Sequence, residues 1–362
     1  MREKNRSVVR FLAVVACCAL ACTLVSTTRA AFEKVVGLSA DTVEIRNLIG
    51  QIEIEGHDGS DFEIVVHVQG SDATPDRVEI RIDEGRRAEV VILFPLDESK
   101  RYVYPRLNGG SVSFSPNDNR GSWLSQLFGS GNVKVKGSGS GLEIWADVTV
   151  RAPRGKSVVI DNGVGTVAAR DVEADLNLAT NSGAVEVSRA NGSVSIDTGS
   201  GHVAVAHVQG PLHLDTGSGH VSVEDVRAKD VHVDTGSGRV ELDGVDGSTV
   251  YVDTGSGRVE ARAVSADDLV IDTGSGSVTL HLVRMGDGEF VIDTGSGSID
   301  LHLPPDASAD VKVDTGSGGI DLDLSGSHRI RHVDDNEVEF TIGDGDADLI
   351  LDTGSGSVRI SQ

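Results

Sequence analysis

Aromatic residues are scarce in this 362-residue chain, at 4% of the total, and Trp occurs only twice. Two ordinary globular cores would need far more bulky side chains, so the sequence argues for a core of another kind. Cysteine is scarcer still: Cys17, Cys18 and Cys22 are the only three, all within the first 22 residues. Beyond them neither disulfide stapling nor thiol catalysis is available, which suits an oxidising compartment. Basic charge is also in deficit, with 32 Lys and Arg against 56 Asp and Glu and a formal net charge of −24. Nucleic acid and anionic lipid would be repelled by such a surface and are not expected as partners, whereas divalent cations and basic partners stay open.

Long apolar runs are missing except at the start. MREKNRSVVR carries Arg2, Lys4, Arg6 and Arg10, FLAVVACCALACTLV follows from Phe11 to Val25, and the small residues Thr28 and Ala30 come next. This pattern predicts a signal peptide over residues 1–30, cut after Ala30, and hence export to the periplasm, cell surface or extracellular space. Two alternatives change only the anchoring. The apolar run of roughly 15 residues could be retained as a signal anchor, although a membrane-spanning helix needs about 20, and VVAC ending at Cys17 resembles a lipoprotein cleavage box. In either case membrane attachment would run through the N-terminus.

Glycine is abundant, with 44 residues, and much of it sits in one repeated motif. DTGSG starts at Asp197, Asp215, Asp234, Asp253, Asp272, Asp293, Asp314 and Asp352. Asp-Thr-Gly-Ser after two apolar residues is what the active loop of a pepsin-like protease looks like, but such an enzyme needs two loops facing across a shared proton. Eight copies pointing the same way do not provide that. The spacings are 18, 19, 19, 19, 21, 21 and 38 residues, the last reading as two periods with a degenerate copy between. A period near 20 is that of a β-solenoid coil. Weaker copies, IDNGVGTV around Asp161 and LATNSGAVEV around Asn181, carry the array back to about Lys156.

Within each unit apolar residues alternate, giving strand, turn and strand. Val231, Val233, Val240 and Leu242 fall on one side, as do Leu269, Ile271, Val278 and Leu280. Stacked about 4.8 Å apart, these residues form apolar ladders that a single repeat could not. DTGSG is then expected to be a corner, with positive φ at its third and fifth residues and with Asp and Thr bonding the turn amides. The GSG loops lead into strands rather than helices, so they are not phosphate cradles.

In-register stacking sets the aspartates in a column, and like charges on adjacent strands destabilise. Turn amides, interleaved basic residues or bound cations could offset this. The position after each turn reads His202, His220, Arg239, Arg258, Ser277, Ser298, Gly319 and Ser357. Compensation is lacking beside Asp272, Asp293, Asp314 and Asp352, which become the candidate metal ligands, with Ca²⁺ the ion that carboxylate oxygens suit. The competing reading is that these carboxylates only cap turns, and no resident cofactor is expected. Histidine pairs at equal repeat positions, His202 with His220, His213 with His232 and His281 with His302, could also meet Zn²⁺ or Cu²⁺, although two ligands without a third are usually solvated surface.

Ahead of the array, TVEIRNLIGQIEIEG, DFEIVVHVQG, RVEIRIDEG and RAEVVILFP alternate and end in turn chemistry, which predicts a less regular N-terminal β module over residues 31–95 that caps one end. Residues 96–133 read as a Gly/Ser/Asn-rich loop, with Trp123, Leu124, Leu127 and Phe128 either a lid or an exposed contact. Residues 134–362 complete the predicted fold, an all-β parallel solenoid of roughly 19-residue coils, whose C-terminal strand would leave a bare edge for self-association through the solenoid ends.

IRNLIGQIEIEG near the mature start, VTVRAPRGKSVVIDNGVGTV from Val148 to Val167, and the tandem turn-Gly-strand units resemble the bacterial β-strand-repeat proteins that carry the family label "putative adhesin", domains of unknown function on exported proteins. The resemblance runs from about Val43 to Ile360. It implies a parallel β-solenoid and an envelope or surface role, and supplies no catalytic residues. The leading expectation is a non-enzymatic adhesin-like scaffold that meets a surface protein or glycan, with outward residues such as Glu241, Glu260, Asp300, Asp321 and Asp323. The alternatives are a divalent-cation-binding envelope protein and a carbohydrate-active β-helix enzyme, the latter disfavoured by uniformly short turns and few aromatics.

Overall fold

A computed structural model describes residues 31–114, 132–325 and 327–362. The leader reading over residues 1–30 and the lid or contact reading at Trp123 to Phe128 lie outside the described residues. The chain is a β-solenoid. Each DTGSG coil contributes one strand that ends in Asp-Thr, a tight turn, and a second strand, and like strands stack in parallel register. The result is a front sheet of strands such as Leu212–Thr216, Asp268–Thr273 and Glu289–Thr294, and a back sheet of strands such as Val203–Gln209, Val259–Ala266 and Val278–Met285. Two long strands, Val221–Ser237 and Val240–Ser256, run through both sheets.

The alternation read from the sequence sets the packing. Val231, Val233, Val240, Leu242, Leu269, Ile271, Val278 and Leu280 are all at most 2% exposed and belong to one continuous apolar cluster. Burying each such aliphatic side chain contributes roughly 1.5–3 kcal/mol. Several of the few aromatics gather at one end. There Arg101–Val103, Ser111–Phe114, Val133–Lys136 and Leu142–Glu143 make a separate four-stranded sheet, with Phe94 edge-on to Tyr102 at 5.8 Å and Tyr104 against Trp145 at 6.0 Å. Part of the segment read as a loop over residues 96–133 is therefore ordered. Strands of three and four residues are too short to show an alternation.

Both ends depart from sequential order. Thr42–Ile49 and Ile52–His57 form the first true coil and stack directly on Ser157–Val164 and Val167–Val172. Antiparallel strands cap this end: Glu79–Asp83 with Arg87–Leu93 beyond the front sheet, and Phe32–Leu38, which precedes the first coil, with Phe62–Gln69 beyond the back sheet. At the other end the 38-residue spacing holds no degenerate coil. Residues His328–Val333 and Glu337–Ile342 form an antiparallel hairpin on Ala309–Thr315.

The last coil, Ala347–Thr353 with Val358–Ser361, inserts between the coil of Glu289–Thr294 and Ile299–His302 and the coil of Ala309–Thr315 and Ile320–Asp323. The expected bare C-terminal edge is thus interior to the stack. The back sheet ends instead at Ile320–Asp323, which pairs only with Val358–Ser361 among the described residues.

Candidate functional site

The front sheet places the repeated aspartates on its outer surface. In register they run Asp197, Asp215, Asp234, Asp253, Asp272, Asp293, Asp352 and Asp314. The neighbouring threonine of every copy points the other way and is at most 1% exposed. Alternation across one strand explains both: Asp and Thr are consecutive, so one faces water and the other the core.

The turn is built differently from the expected corner. Turn amides bond the adjacent coil: the Gly238 amide donates to the Ser256 carbonyl at 3.0 Å, and the Gly274 amide to the Thr254 carbonyl at 3.1 Å. The Thr294 and Thr353 hydroxyls bond carbonyls rather than turn amides, Thr294 Oγ1 donating to Gly276 O and Thr353 Oγ1 to Gly297 O, both at 2.9 Å. Only the fifth residue of the motif takes a positive φ, +148° at Gly238. The third is glycine because coils approach closely, a Cβ at Gly236 falling 2.7 Å from the Gly217 carbonyl.

The basic residues after the turn do not relieve the aspartates either. They start the back sheet and pair there, Arg239 with Glu241 at 3.1 Å, Arg258 with Glu260 at 3.5 Å and His220 with Glu241 at 3.5 Å. Within the ladder, partial burial and then the charges of Asp215 and Asp253 push the Asp234 carboxyl above its ordinary range, and burial with Asp352 and Asp272 does the same at Asp293.

Two further lines run beside the ladder. Two residues before each aspartate the outer face reads Ser195, His213, His232, Tyr251, Val270, Val291, Ile350 and Lys312. The rings of His213, His232 and Tyr251 stack at 4.7 and 4.6 Å. Burial and the neighbouring His213 lower the His232 pKa, against the pull of the aspartates. Beyond this stripe lie Asp268, Glu289, Asp348 and Asp310. Val270, Val291 and Ile350 therefore stand between two acidic lines, and Ile350 is 37% exposed.

The ladder ends at the first coils in an ionic cluster. Arg46 lies opposite Asp161 and contacts Glu44 and Glu89, each at 2.6 Å. Burial, with the charge of Glu44, pushes the Asp161 carboxyl up to about 6, although Arg46 opposes this. Burial works against the charge on Glu44 as well, but Arg87 and Arg46 hold its pKa below the ordinary value.

A family model described as Toastrack DUF4097 matches residues 49–361. The chain belongs to this family. No curated protein matches the chain. Among solved structures, a putative cell adhesion protein from Clostridium sporogenes ATCC 15579 is similar at 10% identity and a TM-score of 0.21, over 91% of this chain and 99% of that one. A putative adhesin from Bacteroides fragilis NCTC 9343 is similar at 10% identity and a TM-score of 0.30, over 91% of this chain and 98% of that one.

In this Toastrack chain the four cation candidates, Asp272, Asp293, Asp314 and Asp352, are contiguous on the ladder, in the order Asp272, Asp293, Asp352, Asp314. They stand in a single file. Among the described residues no group of three or more His, Cys, Asp or Glu side chains is arranged to hold a metal ion. The histidine pairs are brought together as the repeat predicts: His202 stacks on His220 at 5.1 Å, and His281 lies 5.5 Å from His302, tilted by 45°. His202 Nδ1 contacts the His220 carbonyl and His302 Nδ1 the Ser361 hydroxyl, so one nitrogen of each is engaged. Sequence reasoning missed the stripe through Val270, Val291 and Ile350. Its signal was the second residue of every V-x-V-D-T strand, which varies and so looked like filler.

Proposed function

We propose that this Toastrack chain is a non-enzymatic, adhesin-like surface-interaction scaffold, exported from the cell, and that the front sheet is its contact face. The observation that carries this reading is the pattern of the outer face, an apolar stripe through Val270, Val291 and Ile350 between two acidic lines, continued along the sheet by the stacked rings of His213, His232 and Tyr251. Such a surface complements a partner with basic and apolar groups, either a surface protein or a glycan that stacks on Tyr251 and the histidines. The carboxylates stand in line on one face rather than opposed across a cleft, which supports binding over acid–base chemistry. No helix among the described residues is long and apolar enough to cross a membrane.

The test is a peptide and glycan array probed with the labelled chain. Val291→Lys with Ile350→Lys should abolish the hits, whereas Thr279→Lys on the back sheet should leave them. Hits that survive the front-sheet changes, or a chain that binds nothing basic and no glycan, would overturn the reading.

A further inference from the structure

The two ends of the front sheet are unlike each other. One ends at Glu79–Asp83, which pairs only with Arg87–Leu93 among the described residues, and the other at His328–Val333, which pairs only with Glu337–Ile342. A strand edge of this kind offers a row of backbone donors and acceptors to another chain.

Each edge also has uncovered apolar side chains on its core side. All six residues of His328–Val333 are exposed. Ile330 and Val333 lie opposite the buried Phe340 and Val338, yet remain 54% and 63% exposed. This is because the back sheet stops at Ile320–Asp323 and the front sheet runs two strands further. At the opposite edge Ile80 and Ile82 lie opposite Ile92 and Val90 and are only partly buried.

Charge decides which edges can meet. Within the strands themselves Arg329 and Arg331, with His328 and His332, make one edge basic, Arg331 also pairing with Asp310 at 3.0 Å, while Glu79 and Asp83 on either side of Arg81 leave the other net acidic. Pairing the basic edge with its own kind sets Arg and His against Arg and His. Pairing Glu79–Asp83 with itself in antiparallel fashion sets Glu79 opposite Asp83. Like charges opposite each other destabilise both arrangements, whereas the mixed pair sets basic against acidic.

We propose that the chain assembles head to tail, the edge strand His328–Val333 of one copy pairing with Glu79–Asp83 of the next so that the front sheet continues across copies. Ile330 and Val333 then meet Ile80 and Ile82, and the two apolar faces join. The contact is heterologous and builds open rows rather than closed dimers. Edges of six and five residues make a small interface, so association is weak and concentration-dependent in solution. On a surface such rows would align many front sheets and multiply weak contacts into avid ones.

The experiment is sedimentation velocity on the full chain across a concentration series, with circular dichroism confirming the fold of each variant. The wild-type chain should form a series of multimers that weakens with salt. Arg329→Glu with Ile330→Asp, and separately Glu79→Arg with Asp83→Arg, should each be monomeric. Mixed together they retain one unaltered edge each, so the mixture should associate although neither variant does so alone. A wild-type chain that stays monomeric into the millimolar range, multimers that persist in both variants, or a mixture that forms no pairs would overturn the proposal.

Discussion

At the scale of single residues, the ladder is a place where stability has been given up. Asp234 stands between Asp215 and Asp253, and burial with those two charges raises its pKa above the value it has in an unfolded chain. The folded state therefore binds this proton more tightly than the unfolded state. The destabilising contribution is full at neutral pH and fades as pH falls through the raised pKa toward 3.8. Asp234→Asn should accordingly stabilise the chain by roughly 0.5 kcal/mol at pH 7, and the gain should vanish near pH 4 when denaturant melts of the two proteins are compared. On the inner side of the same strands the threonines differ in what they bond. Thr294 donates to the Gly276 carbonyl, whereas the Thr254 hydroxyl is buried with no hydrogen-bond partner among the described residues. Thr294→Val should cost about 1 kcal/mol, and Thr254→Val should be neutral or stabilising, as read from the same melts.

At the scale of elements, the turn explains the uniformity of DTGSG. A Cβ on Gly238 would lie 1.7 Å from the Gly219 carbonyl of the neighbouring coil, at a φ of +148°. Gly155 has a positive φ of +69°, but a Cβ there would meet nothing within 4 Å among the described residues. Gly238→Ala should therefore cost about 3 kcal/mol or more, through backbone strain and forced separation of two coils, and Gly155→Ala only about 1 kcal/mol. Matched thermal melts would show the difference, and equal losses would mean that φ rather than coil contact selects glycine. This close approach made the repeat, the inward Val, Leu and Ile pattern and the aspartate column legible in the sequence, because each copy must satisfy the same neighbour. Partner choice was less legible. Arg239 and Arg258 follow the turn closely in sequence, but the turn carries them to the back sheet, where Glu241 and Glu260 stand two residues further along the same strands. Arg101–Val103 and Ser111–Phe114 were hidden because strands that short carry no period.

At the scale of the whole molecule, identical coils leave their stacking order unspecified. Asp293, Asp314 and Asp352 belong to the same motif, so nothing local distinguishes a neighbour from a next neighbour, and sequence order is the natural but wrong guess. The chain instead places its last coil between two earlier ones. The connection from His302 to Ala309 steps over the gap, and the inserted coil meets coil surfaces on both sides. That arrangement sets distances that a linear stack would reverse. Asp300 is the register partner of Arg359, and Arg359 in turn of Asp321. Adjacent strands lie about 4.8 Å apart, so Asp300 and Asp321 are separated by roughly twice that. A disulfide closes only when the two Cα atoms are about 4.4–6.8 Å apart. Asp300→Cys with Arg359→Cys should therefore oxidise readily to an intramolecular crosslink. Asp300→Cys with Asp321→Cys should not, because a coil stands between them. Non-reducing mass mapping of the two variants distinguishes the orders directly: crosslinking of 300 to 321 in place of 300 to 359 would return the chain to a sequential solenoid. Removing residues 347–362 should then allow the 300 to 321 crosslink to form, since the coils on either side share the register that the inserted one now fills.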